Sequence, residues 1–225
     1  MIKISEMVKN IVYEDEVALY AISAGILNLS AYAESIKKQV SARTKKPVKN
    51  TSIVVSLSRL GKTLGRQKPF LPPIKINNMS AKSGLVEFTF DKTEYNKKLL
   101  TSLYAKPEFA SPDFFTVTQG VNEISIITSE NLKKALHQGF KNQKPKFFQD
   151  KLAALTVNID KEYITTPNTT YAFIRIFAVR RINIVEFVST YTEFSFILAE
   201  QDLQLGLSLM NELFHEPVEH YNKAG

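Results

Sequence analysis

The chain reads as an α+β protein. A basic helical front (residues 1–68) precedes two copies of one strand–helix–strand–strand–helix unit, at 83–148 and 152–222. Three observations predict this. Apolar residues recur at helical spacing through the front. The stretches NEISIITSEN (122–131) and TEFSFILAEQ (192–201) share Glu123/Glu193, Ser125/Ser195, Ile127/Ile197 and Glu130/Glu200, 70 positions apart. Charge divides the chain too: residues 1–70 hold 12 Lys/Arg and 5 Asp/Glu, a net of +7, whereas 71–225 hold 17 of each. No acidic residue lies between Ser35 and Val86.

In the front, Ile4, Met7, Val8, Ile11 and Val12 mark one helix, and Val17, Leu19, Tyr20 and Ile22 a second that Gly25 ends. Ser30 is the expected N-cap of a third, with Tyr32, Ile36 and Val40 at four-residue steps. A polar connector, SARTKKPVKN (41–50), leads to a short helix capped by Thr51 or Ser52 and carrying Ile53, Val54, Leu57 and Leu60. Four helices with a basic linker resemble a helix-turn-helix or winged-helix module, although the linker exceeds the usual three or four residues. Lys37, Lys38, Arg43, Lys45, Lys46, Lys49, Arg59 and Lys62 are the candidate phosphate contacts. The same charges also suit an acidic protein partner or a solvated loop.

After the Pro/Asn/Ser-rich stretch RQKPFLPPIKINNMSAKSG (66–84), read as a linker, the repeat begins. VEFTFDK (86–92) aligns with LTVNIDK (155–161); both alternate and end in Asp-Lys, as strands entering a turn do. TEYNKKLLTSLYAK and TPNTTYAFIRIFAVRR follow as helices, the second with Thr166 as N-cap and Pro167 at its first position. FFTVTQG and NIVEFVST read as strands, then the opening pair, then the amphipathic SENLKKALHQGF and EQDLQLGLSLMNELF. Along TEFSFIL, Phe194, Phe196 and Leu198 point to one face, which two helices per unit cover. Glu193, Ser195 and Ile197 point to a mixed face that suits a partner sheet or an interface.

INIVEFVSTYTEFSFILAEQDLQLGLSLMNELF resembles the second half of an ACT domain, as found in the regulatory region of aspartate kinase. The match covers 154–215 well and 83–140 less closely. The resemblance implies two βαββαβ units, a homodimer, and a small ligand, an amino acid, held where the first strand of a unit turns into its first helix. Nothing in the sequence corresponds to a kinase domain, so it implies regulation without catalysis. It places the ligand at Thr165, Thr166, Asn168 and Thr169, with Asn183 nearby. The family's glycine in that turn is Asn168 here, a residue that tolerates positive φ. The first copy, DKTEYNK, has no glycine, and its site is expected to be degenerate.

Other chemistry finds little material. There is no cysteine, hence no thiolate or disulfide, which fits a reducing cytoplasm. No apolar run reaches the roughly 20 residues of a membrane helix, and MIKISEMVKN lacks a signal-peptide core. GKT at 61–63 lacks the glycine of a phosphate loop, Ser56 standing in its place. HEPVEH (215–220) spaces its histidines five apart around a proline, unlike a zinc helix. No metal, cofactor or catalytic residue is expected. The repeated Glu123 and Glu193 read as turn residues rather than a catalytic pair. The reading is a ligand-sensing regulator with a basic domain that contacts nucleic acid. The alternative is an interaction module that uses its ACT-like sheets only to dimerise.

Overall fold

The computed structural model describes residues 3–65, 70–109, 114–141 and 143–215, with the side chains of 213–215 left aside. The HEPVEH motif lies outside the described residues, apart from the backbone of His215. The chain divides into two compact units, one running to Pro72 and the other beginning at Pro73.

The first unit is helical: α1 (Ile4–Glu14), α2 (Glu16–Ser23), α3 (Leu29–Thr44) and α4 (Asn50–Leu64). Val8, Ile11, Val12, Ile22, Ala33, Ile36, Val40, Ile53 and Leu57 form its core. Local chemistry sets each boundary. Asp15 caps α2 by accepting from the Ala18 N–H at 3.0 Å, and Gly25 leaves it at φ +73°. Asn28, rather than Ser30, caps α3, accepting from Ala31 N–H at 3.0 Å. Neither Thr51 nor Ser52 caps α4, whose N-cap is Lys49 with no side-chain bond. Helix α3 absorbs the first four residues of the expected connector. Its last turn is held by Thr44, whose hydroxyl donates to Val40 O at 2.8 Å, before Lys45 turns left-handed. Val17, expected inside, is 79% exposed, because α2 turns Ala18 and Ile22 inward instead. No strand lies among the described residues before Ile76.

The second unit runs β1 (Ile76–Asp91), α5 (Glu94–Tyr104), β2 (Phe115–Gln119), β3 (Glu123–Ser129), α6 (Lys133–Gly139), β4 (Phe147–Ile159), α7 (Thr169–Val179), β5 (Ile184–Ser189), β6 (Glu193–Ala199) and α8 (Leu203–His215). All six strands join one sheet, in the order β2-β3-β1-β4-β6-β5, and every pairing is antiparallel. The strand–helix–strand–strand–helix order therefore occurs twice, as the repeat predicts. The closing strand of a βαββαβ unit is missing from both repeats among the described residues. Its place beside each first strand is taken by the first strand of the other repeat, so β1 and β4 meet at the centre.

Both helix pairs cover one face. Val86, Phe88, Phe90, Ile124 and Ile126 pack on Leu99, Leu103, Leu136 and Phe140 of α5, α6 and the residue after α6. In the second repeat Phe173 and Phe177 meet Phe194 and Phe196, with ring centroids 5.0–5.9 Å apart. The other face carries a smaller apolar cluster: Leu85, Ile127, Leu152, Ala154 and Ile197, with Phe114 and Val185 against it.

Two expectations are corrected. Residues 76–84 are not linker but the first half of β1. Their backbone pairs with β4 from Ile76↔Ile159 to Lys82↔Ala154, and a bulge at Gly84 (φ +68°) joins the two halves. Polar side chains on the exposed half hid a strand that the ladder supports. The repeat is also registered two residues away from the Asp-Lys alignment. Thr89 pairs with Ser125 and Thr156 with Ser195, an offset of 67 on the first strand rather than 69. An even shift leaves every side chain on its own face. The hydroxyls of both pairs lie 2.8 Å apart. The repeated glutamates close equivalent turns, Gly120 N–H donating to Glu123 O and Thr190 N–H to Glu193 O, each at 2.9 Å.

Candidate functional site

The turn from β4 into α7 is built from a short 3-10 turn, Lys161–Thr165, and a left-handed residue, Asn168, at φ +67°. Helix α7 starts at Thr169, not at Pro167, because Asn168 breaks the helical run just before it. Thr166 is not the N-cap; its hydroxyl donates back to Glu162 O at 2.9 Å. Asn168 is the N-cap by position and makes no side-chain cap. Buried Thr169 donates to the carbonyls of Tyr163 and Thr166, both at 2.9 Å, and so ties the turn together. Tyr163 is anchored by its hydroxyl, which donates to Pro73 O at 2.9 Å.

An open cavity of about 300 Å³ lies here, lined by Tyr163, Ile164, Thr166, Asn168, Thr169, Thr170, Tyr171 and Phe194. Three of the five expected residues, Thr166, Asn168 and Thr169, line it; Thr165 and Asn183 do not. Asn183 precedes Ile184, which pairs with Leu198, while the α7 end of the sheet is marked by Asn158 opposite Glu193. Five residue steps along β6, from Glu193 to Leu198, separate these levels, on the order of 15 Å of strand. The antiparallel return of α7 carries Asn183 to the far end of the sheet. The aromatic lining was missed, since Tyr163 and Phe194 lie in different elements and only the fold brings them together. The helix start offers first-turn N–H groups and a field that favours an anion.

The same place in the first repeat is capped. Thr93 caps α5 by accepting from Asn96 N–H at 3.1 Å, and buried Asn96 donates to Asp91 O at 2.8 Å. The side chains there satisfy their own backbone.

The eight basic candidates are not equivalent. Lys38, Lys45, Lys49, Arg59 and Lys62 are exposed, and Lys37, Lys46 and Arg43 half-buried. Arg43 grips Glu14 with two bonds, at 2.8 and 2.6 Å, and the guanidinium holds that carboxyl below its usual range. Lys37 lies 3.8 Å from Glu34. Lys45, Lys46 and Lys49 occupy the α3–α4 connector, whereas Arg59 and Lys62 lie further along α4. Among the described residues no three His, Cys, Asp or Glu side chains gather in a metal-binding group, and no helix is long and apolar enough to cross a membrane.

No protein-family model matches the chain, and no curated protein matches it. Solved structures do. Aspartate kinase from Clostridium acetobutylicum matches with TM-score 0.52 and 12% identity, over 67% of this chain and 37% of that one. The regulatory subunit of aspartate kinase from Thermus thermophilus, in its ligand-free form, matches with TM-score 0.51 and 8% identity, over 62% of this chain and 98% of that one. The corresponding Thermus flavus subunit gives 0.51 and 9%, over 62% and 99%. In its fold the chain resembles the regulatory part of aspartate kinase, as its ACT-like strands imply.

Proposed function

We propose that the chain is a non-catalytic regulatory protein. Its second repeat senses a small carboxylate ligand, an amino acid, at the start of α7, and its basic helical unit contacts nucleic acid. It works as a cytoplasmic homodimer. The fold likeness supports a regulatory role: the Thermus proteins are regulatory subunits and the Clostridium protein an allosteric enzyme. One observation carries the ligand site. The α7 start has no side-chain cap and opens into a cavity, while its counterpart at α5 is capped by Thr93. A carboxylate would take the place of the missing cap, and Tyr163 and Phe194 would bound the ligand's side chain.

A second reading, dimerisation alone, is favoured by the hydroxyls of Thr166 and Thr169, both of which already donate to backbone carbonyls. Thermal shifts with each of the twenty amino acids separate the two. A sensed ligand at a hundred times its Kd should stabilise the protein by about 2.7 kcal/mol. Thr170 lines the cavity and is exposed, so Thr170→Glu should abolish that shift by repelling the carboxylate. An acidic residue in the first turn should leave the unliganded melting point level or slightly higher. No shift at millimolar concentrations supports dimerisation alone. A shift that survives Thr170→Glu moves the ligand elsewhere.

A further inference from the structure

The two repeats differ most in the turn that follows their first strands. Nine residues, 160–168, join β4 to α7, whereas Lys92 and Thr93 alone join β1 to α5. The longer connection carries Tyr163 and Ile164, and both line the cavity at the start of α7. Tyr171 of α7 and Phe194 of β6 add further apolar surface to it. Two of these rings are fixed before any ligand arrives. Phe194 is buried, its centroid 5.5 Å from that of Phe173 and 5.5 Å from that of Phe187. The Tyr163 hydroxyl is tied to Pro73 O. A surface held in advance costs a ligand little ordering. Ile164 is 40% exposed, an apolar side chain left in water beside Tyr163.

Charge is missing from the lining. Its remaining residues, Thr166, Asn168, Thr169 and Thr170, are polar and neutral. A charged side chain entering the cavity would lose water and meet no opposite charge among the lining residues. A large apolar one would cover Ile164 and the rings and gain by leaving water. The threonines suit the other end of an amino acid. The Thr166 hydroxyl donates to Glu162 O, and that of Thr169 to Tyr163 O and Thr166 O, so both protons are committed. Each oxygen can then only accept from a ligand, and an α-ammonium brings the donors.

Resting on the reading of this turn as an amino-acid site, we propose that the cavity selects its ligand by a large, uncharged, apolar side chain and rejects amino acids with a charged one. Phenylalanine and leucine represent the accepted class; alanine, lysine and aspartate represent those refused, alanine because it leaves the apolar lining uncovered.

Calorimetric titration of the full chain tests this. Phenylalanine and leucine should each bind at least about tenfold more tightly than alanine, the scale of a few methylenes in an apolar pocket. Lysine and aspartate should be weaker than phenylalanine by about tenfold or more. Ile164→Asp, at an exposed position, should weaken phenylalanine binding by about tenfold while weakening lysine less. The wild-type ligand series decides without the variant should Ile164→Asp fail to fold. Alanine or a charged amino acid binding as tightly as phenylalanine overturns the selection and leaves the sensing site standing. So does phenylalanine binding that Thr170→Glu abolishes but Ile164→Asp leaves unchanged. Phenylalanine binding that survives both substitutions moves the site elsewhere and overturns both readings, as does the absence of binding by any of the twenty amino acids at millimolar concentration.

Discussion

Single residues fix the joints of this molecule, and Asp15 is the clearest. One carboxyl oxygen caps α2 through the Ala18 N–H and the other accepts from the Tyr32 hydroxyl on α3, both at 3.0 Å. Burial, with Asp15 beside it, pushes the Tyr32 phenol well up, so the hydroxyl stays a donor throughout ordinary pH. Asp15→Ala should cost about 1–2 kcal/mol, since the cap and the tie are lost together. Tyr32→Phe, which spares the cap, should cost about 1 kcal/mol. Urea midpoints measure both; equal costs would show that the cap contributes nothing. Asn168 acts differently, through its backbone. At φ +67° a β-carbon without a local polar partner is disfavoured, and Thr169 is buried with its hydroxyl bonded twice. Replacing this pair by alanine would disturb the fold, which makes exposed Thr170 the better probe of the cavity.

Elements pack by close approach, and Gly206 on α8 shows how close. An added Cβ would sit 3.2 Å from Leu198 Cδ1, 3.3 Å from Phe177 Cε1 and 3.4 Å from Leu155 Cδ2. Alanine would gain about 1 kcal/mol of helix propensity. All three neighbours have no exposed surface and no space to yield into. Overpacking of this kind costs about 1–3 kcal/mol, so Gly206→Ala should destabilise the protein by about 1 kcal/mol net. Denaturant unfolding decides the sign; a stabilised variant would mean that α8 can shift on the sheet. The two Thr–Ser pairs show the same logic between strands. They recur because the repeats keep one pairing geometry, even where the Asp-Lys spelling has slipped by two.

Over the whole molecule, charge and core divide the same way. The front carries the net +7 and its own apolar centre, and the neutral remainder builds the sheet. If the front contacts duplex DNA, each phosphate neutralised adds about 0.9 to the downward slope of log K against log salt. Lys45→Ala with Lys49→Ala should shallow that slope by about 1–2. Arg43→Ala should leave it unchanged, because Arg43 already serves Glu14. Binding isotherms at several salt concentrations test this. No binding at low salt, or an effect from Arg43 equal to that of the lysines, would contradict it.

The sequence by itself determined the element order, the duplication and the face assignment of Phe194, Phe196 and Leu198, because alternation and helical spacing are local signals. It also marked Asn168 as a residue suited to a left-handed turn. It misplaced the helix starts at Ser30, Thr51 and Thr166, since several neighbouring polar residues can cap and only backbone geometry selects one. It could not show that 76–84 is strand, because a polar strand is held by its partner's backbone and not by its own side chains. Asn183 and the Tyr163–Phe194 lining were illegible for a related reason: strand direction decides which end of the sheet a residue reaches. Only the tertiary structure decided that β1 and β4 join the repeats into one sheet. It alone set Glu186 on the face of Ile197, through a one-residue bulge in the edge strand β5 that no local pattern announces.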